Sequence, residues 1–234
     1  MNAQALVSAV YNRPLKQEPP IKAKELTLLA GIGIDNDCHA NPLSPRQVLI
    51  TSALTYATFD LPELALRENL WLLPNNEFDA EKLQSGDTLS LADGLAELRI
   101  TFQCEPCGRL NRVAPSLCRD IKGQRGYLAR VVGSGTIRAG DKLYLTKNVY
   151  PPFSEDWRER VIAVARLLPK DHFLSYTNLA MLAGVANSYC RASPQLLSAH
   201  KNIPSDRIIG SSTRHLASLQ EWTGRETFQP EHVP

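Results

Sequence analysis

The sequence lacks any apolar run long enough to cross a membrane. Its apolar stretches, such as residues 46–52, are far shorter than the ~20 residues that a membrane-spanning helix requires. The N-terminus also lacks the basic region followed by an apolar region that marks a secretory signal. With 43% hydrophobic and 21% charged residues, the composition is typical of a soluble globular protein. The sequence therefore predicts a folded protein with no membrane partner.

Cysteine is scarce, and the five cysteines form an odd number at irregular spacing. This pattern argues against the disulfide framework of a small secreted protein. The prediction is a reducing, cytoplasmic location. A buried structural role is the commonest fate of an intracellular cysteine. We expect that role for three of the five: Cys38, Cys118 and Cys190.

An excess of one charge is also missing, because the formal net charge is only +2. A sum this small does not by itself indicate a nucleic-acid partner. The charge is unevenly distributed, however: residues 157–215 contain eight basic and three acidic residues. Ordinary solvated surface and an anionic partner both produce such a bias, so both interpretations stay open.

Alternating apolar residues dominate the first part of the chain and predict half-buried strands. They fall in four segments, residues 89–91, 98–102, 127–131 and 143–145. A helix is expected near Asp60, where Asp60, Pro62 and Glu63 have the spacing of a helix start. The first part is therefore predicted to be mainly β.

Tyr150-Pro-Pro-Phe153 is the predicted domain boundary, because two prolines end both helices and sheet ladders. After it, Ser154 is expected to cap a helix that Pro169 ends, and Gly184 to end a second helix. The predicted divisions are residues 1–149, a linker at 150–153, a small mainly α domain at 154–222 and a loose polar tail at 223–234.

Cys104-Glu-Pro-Cys107 follows a predicted strand, so Cys107 is expected at a strand end where loops converge. Basic neighbours, which include Arg109 and Arg112, favour the thiolate form that attacks sulfur or binds a soft metal. A structural zinc site would need two further ligands, and only Cys38 with its neighbour His39 offers a pair. A thioredoxin-like redox motif would need a helix start after a strand, which Pro106 and the strand pattern do not favour. Cys107 is therefore the preferred reactive residue.

An ordered series of short motifs resembles the landmarks of MOSC domains, the molybdenum cofactor sulfurase C-terminal type. The motifs are Gly33-Ile-Asp-Asn-Asp-Cys-His-Ala40, Arg46-Gln-Val-Leu-Ile50, Glu68-Asn-Leu70, Leu83-Gln-Ser-Gly-Asp87, Gln103-Cys-Glu-Pro-Cys-Gly-Arg-Leu110, Arg125-Gly-Tyr127 and Ile137-Arg-Ala-Gly-Asp141. The resemblance implies a β-barrel-like fold and places the family's characteristic cysteine at Cys107. Two positions depart from the family pattern, since Asn36 and Arg67 stand where glycine is usual.

The resemblance also implies a chemistry, because family members bind the molybdenum cofactor (molybdopterin) or carry sulfur toward metal centres, some beside a pyridoxal-phosphate desulfurase. Cys107 would accept sulfur as a persulfide or ligate molybdenum, and arginines would hold the pterin phosphate. The candidate cofactor-binding residues are Asp37, His39, Arg46, Asn69, Arg109, Arg112 and Arg125. A sulfur donor or a molybdoenzyme is the expected partner, and no pyridoxal-phosphate site is identified. Whether Cys107 turns over as an enzyme or only carries sulfur stays open.

Residues 157–209 resemble the DNA-binding domain of alkylguanine-DNA alkyltransferases and alkyltransferase-like proteins, a winged-helix or helix-turn-helix-like fold. The pieces are Arg160-Val161, Leu168-Pro169, Ser175-Tyr176, Leu179-Ala-Met-Leu-Ala-Gly184, Arg191-Ala192 and Asn202-Ile-Pro-Ser-Asp-Arg-Ile208. The resemblance implies DNA contacts from Tyr176, Arg191 and Arg207.

The alkyltransferase chemistry itself is not expected, because Ser205 stands where those proteins have the acceptor cysteine. Ser193-Pro194 also predicts a helix start, which would shorten the DNA-reading helix. Two interpretations stay open for this region: a helical packing module, and a non-enzymatic module that recognises modified or damaged DNA.

Overall fold

The computed structural model describes residues 4–73, 82–186, 189, 192–210 and 219–228. The chain divides into two compact units. The first unit comprises Met1–Pro42 and Arg46–Pro152, and the second comprises Leu43–Pro45 and Phe153–Pro234. Within the described residues, no helix is both long and apolar enough to span a bilayer.

The first unit is mainly β. Its strands are β1 Gln4–Asn12, β2 Ile21–Ala23, β3 Glu25–Leu29, β4 Gly33–Ile34, β5 Val48–Ser52, β6 Leu70–Leu73, β7 Thr88–Ser90, β8 Glu97–Gln103, β9 Tyr127–Gly133, β10 Gly135–Arg138 and β11 Lys142–Thr146. Its helices are α1 Ala53–Thr58 and α2 Leu117–Asp120, with a 3-10 helix at Gly108–Arg112. The four predicted strand segments are confirmed.

The main sheet of this unit closes on itself. Its strand order is β11-β7-β8-β9-β5-β6-β1-β2, and β1 also pairs with β11. The described strands therefore form a seven-stranded barrel in which β2 is an extra edge strand. All the barrel pairs are antiparallel except β5 with β6. A second sheet, β10-β3-β4, has three strands.

The barrel interior is a continuous apolar core built by the alternation that predicted the strands. Leu98 and Ile100 on β8 and Ala129 and Val131 on β9 are fully buried in it. A second apolar cluster lies around α1, α2 and the 3-10 helix; we call it the helix cluster. Its buried members are Tyr56, Leu66, Leu110, Leu117 and Ile121.

The helix predicted near Asp60 is wrong. The helix lies earlier, at α1, where the Ser52 side chain accepts a hydrogen bond from the Leu54 N–H and caps it. Asp60 instead has φ +47, and Leu64 has φ +64. Residues in this left-handed region reverse the chain rather than begin a helix. Glu63 consequently belongs to a turn, where its carboxylate accepts a hydrogen bond from Tyr11.

The described residues of the second unit form three short α-helices and a three-stranded sheet. The elements are α3 Trp157–Arg166, β12 His172–Ser175, α4 Tyr176–Leu182, α5 Ser193–Ser198, β13 Ile208–Ile209 and β14 Gln220–Glu221. β12 is central and pairs in parallel with both β13 and β14. The helix start predicted at Ser193-Pro194 is confirmed, and so is the end at Gly184, which has φ +64.

Two details of the second unit differ from the predictions. Asp156, not Ser154, caps α3, because its carboxylate accepts the Arg158 N–H at 2.8 Å. The tail predicted to be loose from Thr223 includes a 3-10 helix at Arg225–Phe228, in which Thr227 and Phe228 are buried. The polar composition of this stretch did not indicate that Phe228 is buried. Residues 229–234 lie outside the described part of the chain.

Candidate functional site

The cysteine loop, residues 104–107, begins where β8 ends. The ladder between β8 and β9 shifts register between Ile100 and Gln103, and such bulges redirect a strand at a barrel rim. Cys104 is buried and its N–H donates to the Gly126 carbonyl at 2.9 Å. Cys107 is exposed. The loop therefore buries one thiol and leaves the other open to solvent.

Both ends of the cysteine loop are anchored. Gly126 has φ +114, and a Cβ there would lie 2.2 Å from the Ile50 carbonyl oxygen, so only glycine allows this close approach of β5. On the other side, Leu110 of the 3-10 helix is buried in the helix cluster. Because both flanks are fixed by packing, the position of Cys107 is defined although its side chain is exposed.

Glu105 in the cysteine loop is held by two arginines. Arg46 Nη1 lies 2.9 Å from the Glu105 carboxylate, and Arg125 Nη1 donates to the Glu105 carbonyl at 2.6 Å. The Arg46 guanidinium also lies 5.8 Å from the ring centre of Phe102. These contacts hold two arginines against the residue that follows the buried Cys104.

Arg46 and Arg125 belong to a basic cavity of about 100 Å³, which we call the arginine cavity. Four arginines line it, Arg13, Arg46, Arg67 and Arg125. The other polar lining residues are His39, Gln47, Asn69 and Cys104. No Asp or Glu lines it among the residues that the structure describes, so its wall is strongly electropositive.

Asp37 does not line the arginine cavity itself, but it bonds to three residues that do. Its side chain is fully buried and accepts hydrogen bonds from the backbone N–H groups of Arg13 (2.9 Å) and His39 (2.8 Å). It also accepts from His39 Nδ1 and Asn69 Nδ2, both at 3.0 Å. Burial alone would raise the pKa of Asp37, but the hydrogen bonds from His39 and Arg13 outweigh it and lower that pKa. Asp37 is thus an ionised carboxylate that positions three lining residues.

Arg13 is locked between Cys38 and His39. Its Nε donates to Cys38 Sγ at 3.2 Å, and its Nη2 contacts the His39 ring nitrogens. When Nδ1–H of His39 donates to Asp37, Nε2 is the acceptor that faces Arg13. The histidine is therefore held on both sides and shapes the cavity wall.

Asp37, Cys38 and His39 also offer three metal-ligating atoms within 4.8 Å of one another. The Arg13 guanidinium donates to two of these residues. A cation already bonded to the ligand atoms opposes a divalent metal by charge repulsion. The cluster consequently supports an anion-binding wall more readily than the zinc site considered from the sequence.

The structure brings together only some of the residues singled out in the sequence. Arg46, Arg125, His39 and Asn69 line the arginine cavity, and Asp37 supports it. Cys107, Arg109 and Arg112 do not line it; all three are exposed, the arginines on the 3-10 helix after Cys107. The arginine candidates thus separate into a cavity pair and a surface pair.

Six lining residues were not among the candidates: Arg13, Gln47, Leu49, Arg67, Cys104 and Leu128. Arg13 lies beyond the end of β1, and the antiparallel pairing of β1 with β6 brings it next to Asn69. No local sequence signal indicates that pairing. Arg67 and Cys104 had signals, since Arg67 departs from the glycine of the MOSC pattern and Cys104 belongs to the Cys-x-x-Cys motif.

In the second unit, the residues predicted to contact DNA have mixed placements. Tyr176 is the first residue of α4, and burial raises its pKa. Arg207 Nη1 donates to the carbonyl oxygens of Pro169 and His172, the latter at 2.9 Å. The Arg207 guanidinium therefore supports the turn between α3 and β12. Arg191 lies outside the described residues.

Comparisons with known proteins agree with this fold. The YUAD protein from Bacillus subtilis (APC1665) is 19% identical, with a TM-score of 0.53, over 62% of this chain and 97% of that chain. A hypothetical protein of known crystal structure is 20% identical, with a TM-score of 0.53, over 88% of this chain and 95% of its own. YiiM from Escherichia coli is 20% identical over 86% of this chain and 98% of its own, with a TM-score of 0.48. At these identities, the two structures with a TM-score of 0.53 support the fold alone.

The comparison with family models is more specific, because it assigns most of the barrel to one family. No curated protein matches the sequence of the chain. Residues 43–144 match the family model described as MOSC domain, and they include the cysteine loop and most of the barrel strands. The seven-stranded barrel fits that assignment. The chain therefore carries a MOSC domain at residues 43–144.

Proposed function

We propose that the MOSC domain binds the molybdenum cofactor and that Cys107 is its thiolate ligand or a persulfide carrier. The observation that carries the proposal is the arginine cavity, which four arginines line together with Cys104 of the cysteine loop. Arginine forks suit the oxygens of a phosphate group. The MOSC family is associated with the molybdenum cofactor, whose pterin carries a phosphate.

Buried hydrogen-bond donors in the arginine cavity fit a phosphate. Among the residues that the structure describes, Nε and Nη2 of Arg67 and Nε of Arg125 are buried and have no hydrogen-bond partner. Buried donors are normally satisfied, so these three groups point to a missing acceptor. Phosphate oxygens supply such acceptors. When bound, the cofactor supplies a molybdenum centre that the protein's own side chains cannot replace.

The size of the arginine cavity limits what enters it. About 100 Å³ is well below the ~300–1,000 Å³ typical of a site that encloses a whole small-molecule ligand. The cavity therefore accepts one anionic end group, and the rest of the ligand lies outside it. Glu105, held by Arg46 and Arg125, links the cavity to the loop that carries Cys107.

Exposure makes Cys107 the thiol that a protein donor or acceptor reaches. In the carrier form of the proposal, the Cys107 thiolate attacks the terminal sulfur of a donor persulfide. The donor S–S bond breaks, the new S–S bond forms on Cys107, and the donor leaves as its thiolate. A sulfur donor or a molybdoenzyme is the partner in this scheme.

Mass and metal analysis of the protein purified from a molybdenum-replete host tests the proposal. We expect an added sulfur or bound molybdenum in the wild type and in Cys118→Ala, the control, because Cys118 packs against the helix cluster. Cys107→Ala should lose both signals and keep its fold. Unchanged sulfur and molybdenum in Cys107→Ala would overturn the role of Cys107, and a loss confined to Cys104→Ala would transfer that role to the buried thiol.

For the second unit, the alkyltransferase-like assignment of residues 154–222 remains a prediction. Within its described residues, no observation favours contact with nucleic acid over a packing role: Arg207 donates to backbone carbonyls, and α5 has only six residues. We propose that this unit steers a partner of the MOSC domain rather than carrying chemistry. Steeply salt-dependent binding of duplex DNA would contradict that assignment.

A further inference from the structure

Cys107 is the exposed thiol of a stretch that carries positive charges without counter-ions. Arg109 and Arg112 follow it on the 3-10 helix, and Lys122 follows α2. All three side chains are exposed, and none of them forms a hydrogen bond or an ion pair within the part of the chain that the structure describes. We call Cys107, Arg109, Arg112 and Lys122 the basic thiol surface.

The acidic residues of this stretch already have partners. Between residues 98 and 140 the sequence contains only two, Glu105 and Asp120. The Glu105 carboxylate is bonded to Arg46, and the Asp120 carboxylate to Arg119 at 2.8 Å. Each carboxylate therefore has a cation of its own. The three cations of the basic thiol surface are left to attract an external anion.

Packing beneath the basic thiol surface holds it in place. Leu110 is buried in the helix cluster, and Asn111 Oδ1 accepts the Cys118 N–H at 2.9 Å, which ties the 3-10 helix to α2. Residues three apart in a 3-10 helix lie on the same side, so Arg109 and Arg112 project together. A surface that is already ordered loses less conformational entropy when it binds a partner.

The charge and the chemistry of the basic thiol surface together indicate its occupant. Its cations complement carboxylates or phosphates, and in the carrier form of the proposed function Cys107 reacts with a partner that carries sulfur. Duplex DNA supplies phosphates but no sulfur atom. An acidic protein segment around a cysteine supplies both carboxylates and sulfur. Val113, which is 38% exposed at the end of the 3-10 helix, adds an apolar contact of the kind that protein interfaces contain.

We propose that the basic thiol surface docks an acidic segment of a protein persulfide donor, whose Asp and Glu side chains pair with Arg109, Arg112 and Lys122. This inference rests on the carrier form of the proposed function, and it adds the charge of the partner and the residues that bind it. Complementary charge accelerates the encounter of two proteins and fixes their orientation. The docked donor brings its persulfide to Cys107.

The transfer itself is a thiol–disulfide exchange and needs no external oxidant. Cys107 gives its thiol proton to water, and the resulting thiolate attacks the terminal sulfur of the donor persulfide. The S–S bond of the donor breaks, and its electron pair stays on the donor sulfur. A new S–S bond forms on Cys107, so that Cys107 becomes the persulfide and the donor becomes a thiolate.

The experiment measures sulfur transfer to the full chain from three synthetic persulfide peptides of equal length. Acidic, neutral or basic residues flank the single persulfide of each peptide. The readout is the initial rate at which the proteolytic fragment that contains Cys107 gains the mass of one sulfur atom. In the wild type we expect the acidic peptide to react at least ~10-fold faster than the neutral one at low salt. That ratio should fall as salt screens the charges.

Charge variants locate the effect. Arg109→Ala/Arg112→Ala should bring the ratio of the acidic to the neutral rate close to one, and Arg109→Glu/Arg112→Glu should make the basic peptide the faster donor. The ratio reports docking alone, because any change in the thiol or the fold affects both peptides. Lys22→Ala/Lys24→Ala is the matched control, since it removes two exposed charges at β2; its ratio should equal that of the wild type.

Equal rates for the acidic and neutral peptides in the wild type would overturn the inference, and so would a wild-type ratio in Arg109→Ala/Arg112→Ala. A duplex DNA that inhibits transfer from the neutral peptide more strongly than an unreactive acidic peptide of equal charge would reassign the surface to nucleic acid. Equal transfer from all three peptides contradicts only the docking inference. Absence of sulfur on Cys107 with every peptide contradicts the carrier role itself, so the two failures are distinguishable.

Discussion

Replacement of Asp37 by asparagine should destabilise the first unit and disorder the wall of the arginine cavity. Each Asp37 carboxylate oxygen accepts two hydrogen bonds: Oδ1 from the backbone and ring of His39, Oδ2 from the Arg13 N–H and Asn69 Nδ2. Asparagine keeps one acceptor oxygen and turns an amide NH₂ toward the other two donors. Two hydrogen bonds to a charged group are therefore lost, each worth about 1.5–3 kcal/mol.

The net loss is smaller than the sum of those two bonds, because a neutral amide is less costly to bury than a carboxylate. We expect Asp37→Asn to lower the free energy of unfolding by about 2–4 kcal/mol at neutral pH. The assay is urea unfolding followed by circular dichroism. Asp35→Asn is the control, since Asp35 is an exposed neighbour whose carboxylate bonds only to Asn36 among the contacts of the described residues.

The pH dependence gives a second readout of the same variant. The pKa of Asp37 is lowered in the folded protein, since hydrogen bonds outweigh the effect of burial. A lowered carboxyl pKa stabilises the fold above the unfolded pKa, and that stability is lost as pH falls through the folded pKa. The difference between wild type and Asp37→Asn should therefore shrink in acid. Equal stability at neutral pH, or a difference that stays constant into acid, would refute the role assigned to Asp37.

Two further variants test the packing around the site. Gly126→Ala should lower the free energy of unfolding by several kcal/mol, because its Cβ would lie 2.2 Å from the Ile50 carbonyl oxygen. Gly140→Ala is the control: Gly140 also has a positive φ, but a Cβ there would meet no atom within 4 Å, so the substitution should cost only about 1 kcal/mol. Equal losses in urea unfolding would show that the close approach is unimportant. Burial raises the pKa of Glu68 in the folded protein, so the free energy of unfolding of the wild type should fall as pH rises through that pKa. Glu68→Gln lacks the ionisable group, so its stability relative to the wild type should increase over the same pH range. Glu18→Gln, at an exposed position, is the control, and a pH-independent difference between Glu68→Gln and wild type would contradict the assignment.

Much of the barrel could be predicted from the sequence, because strands that bury one face alternate apolar and polar residues. Leu98 and Ile100 show this, and both are fully buried. Local signals failed where two residues compete for one role. Ser154 and Asp156 are both good helix caps, and only the structure shows that Asp156 caps α3. Asp60 begins a plausible capping motif, yet its positive φ places it in a turn.

The candidate site was less predictable than the barrel, because it depends on which strand ends meet. Arg13 and Asn69 are 56 positions apart in the sequence, and only the pairing of β1 with β6 brings them to one wall. Conversely, residues that are close to Cys107 in the sequence do not all lie at the cavity. Arg109 and Arg112 follow Cys107 closely, but the buried Leu110 between them fixes the 3-10 helix so that both are exposed.

The molybdenum and pterin content of the purified protein tests the central claim, that the arginine cavity holds the phosphate end of the molybdenum cofactor. Wild type and two variants are compared after expression in a molybdenum-replete host. Arg125→Ala removes a cavity guanidinium, while Arg119→Ala removes an exposed one outside the cavity. The account predicts matching molybdenum and pterin in the wild type and in Arg119→Ala, and a loss of both in Arg125→Ala. Equal content in all three proteins, or molybdenum without pterin, would contradict it.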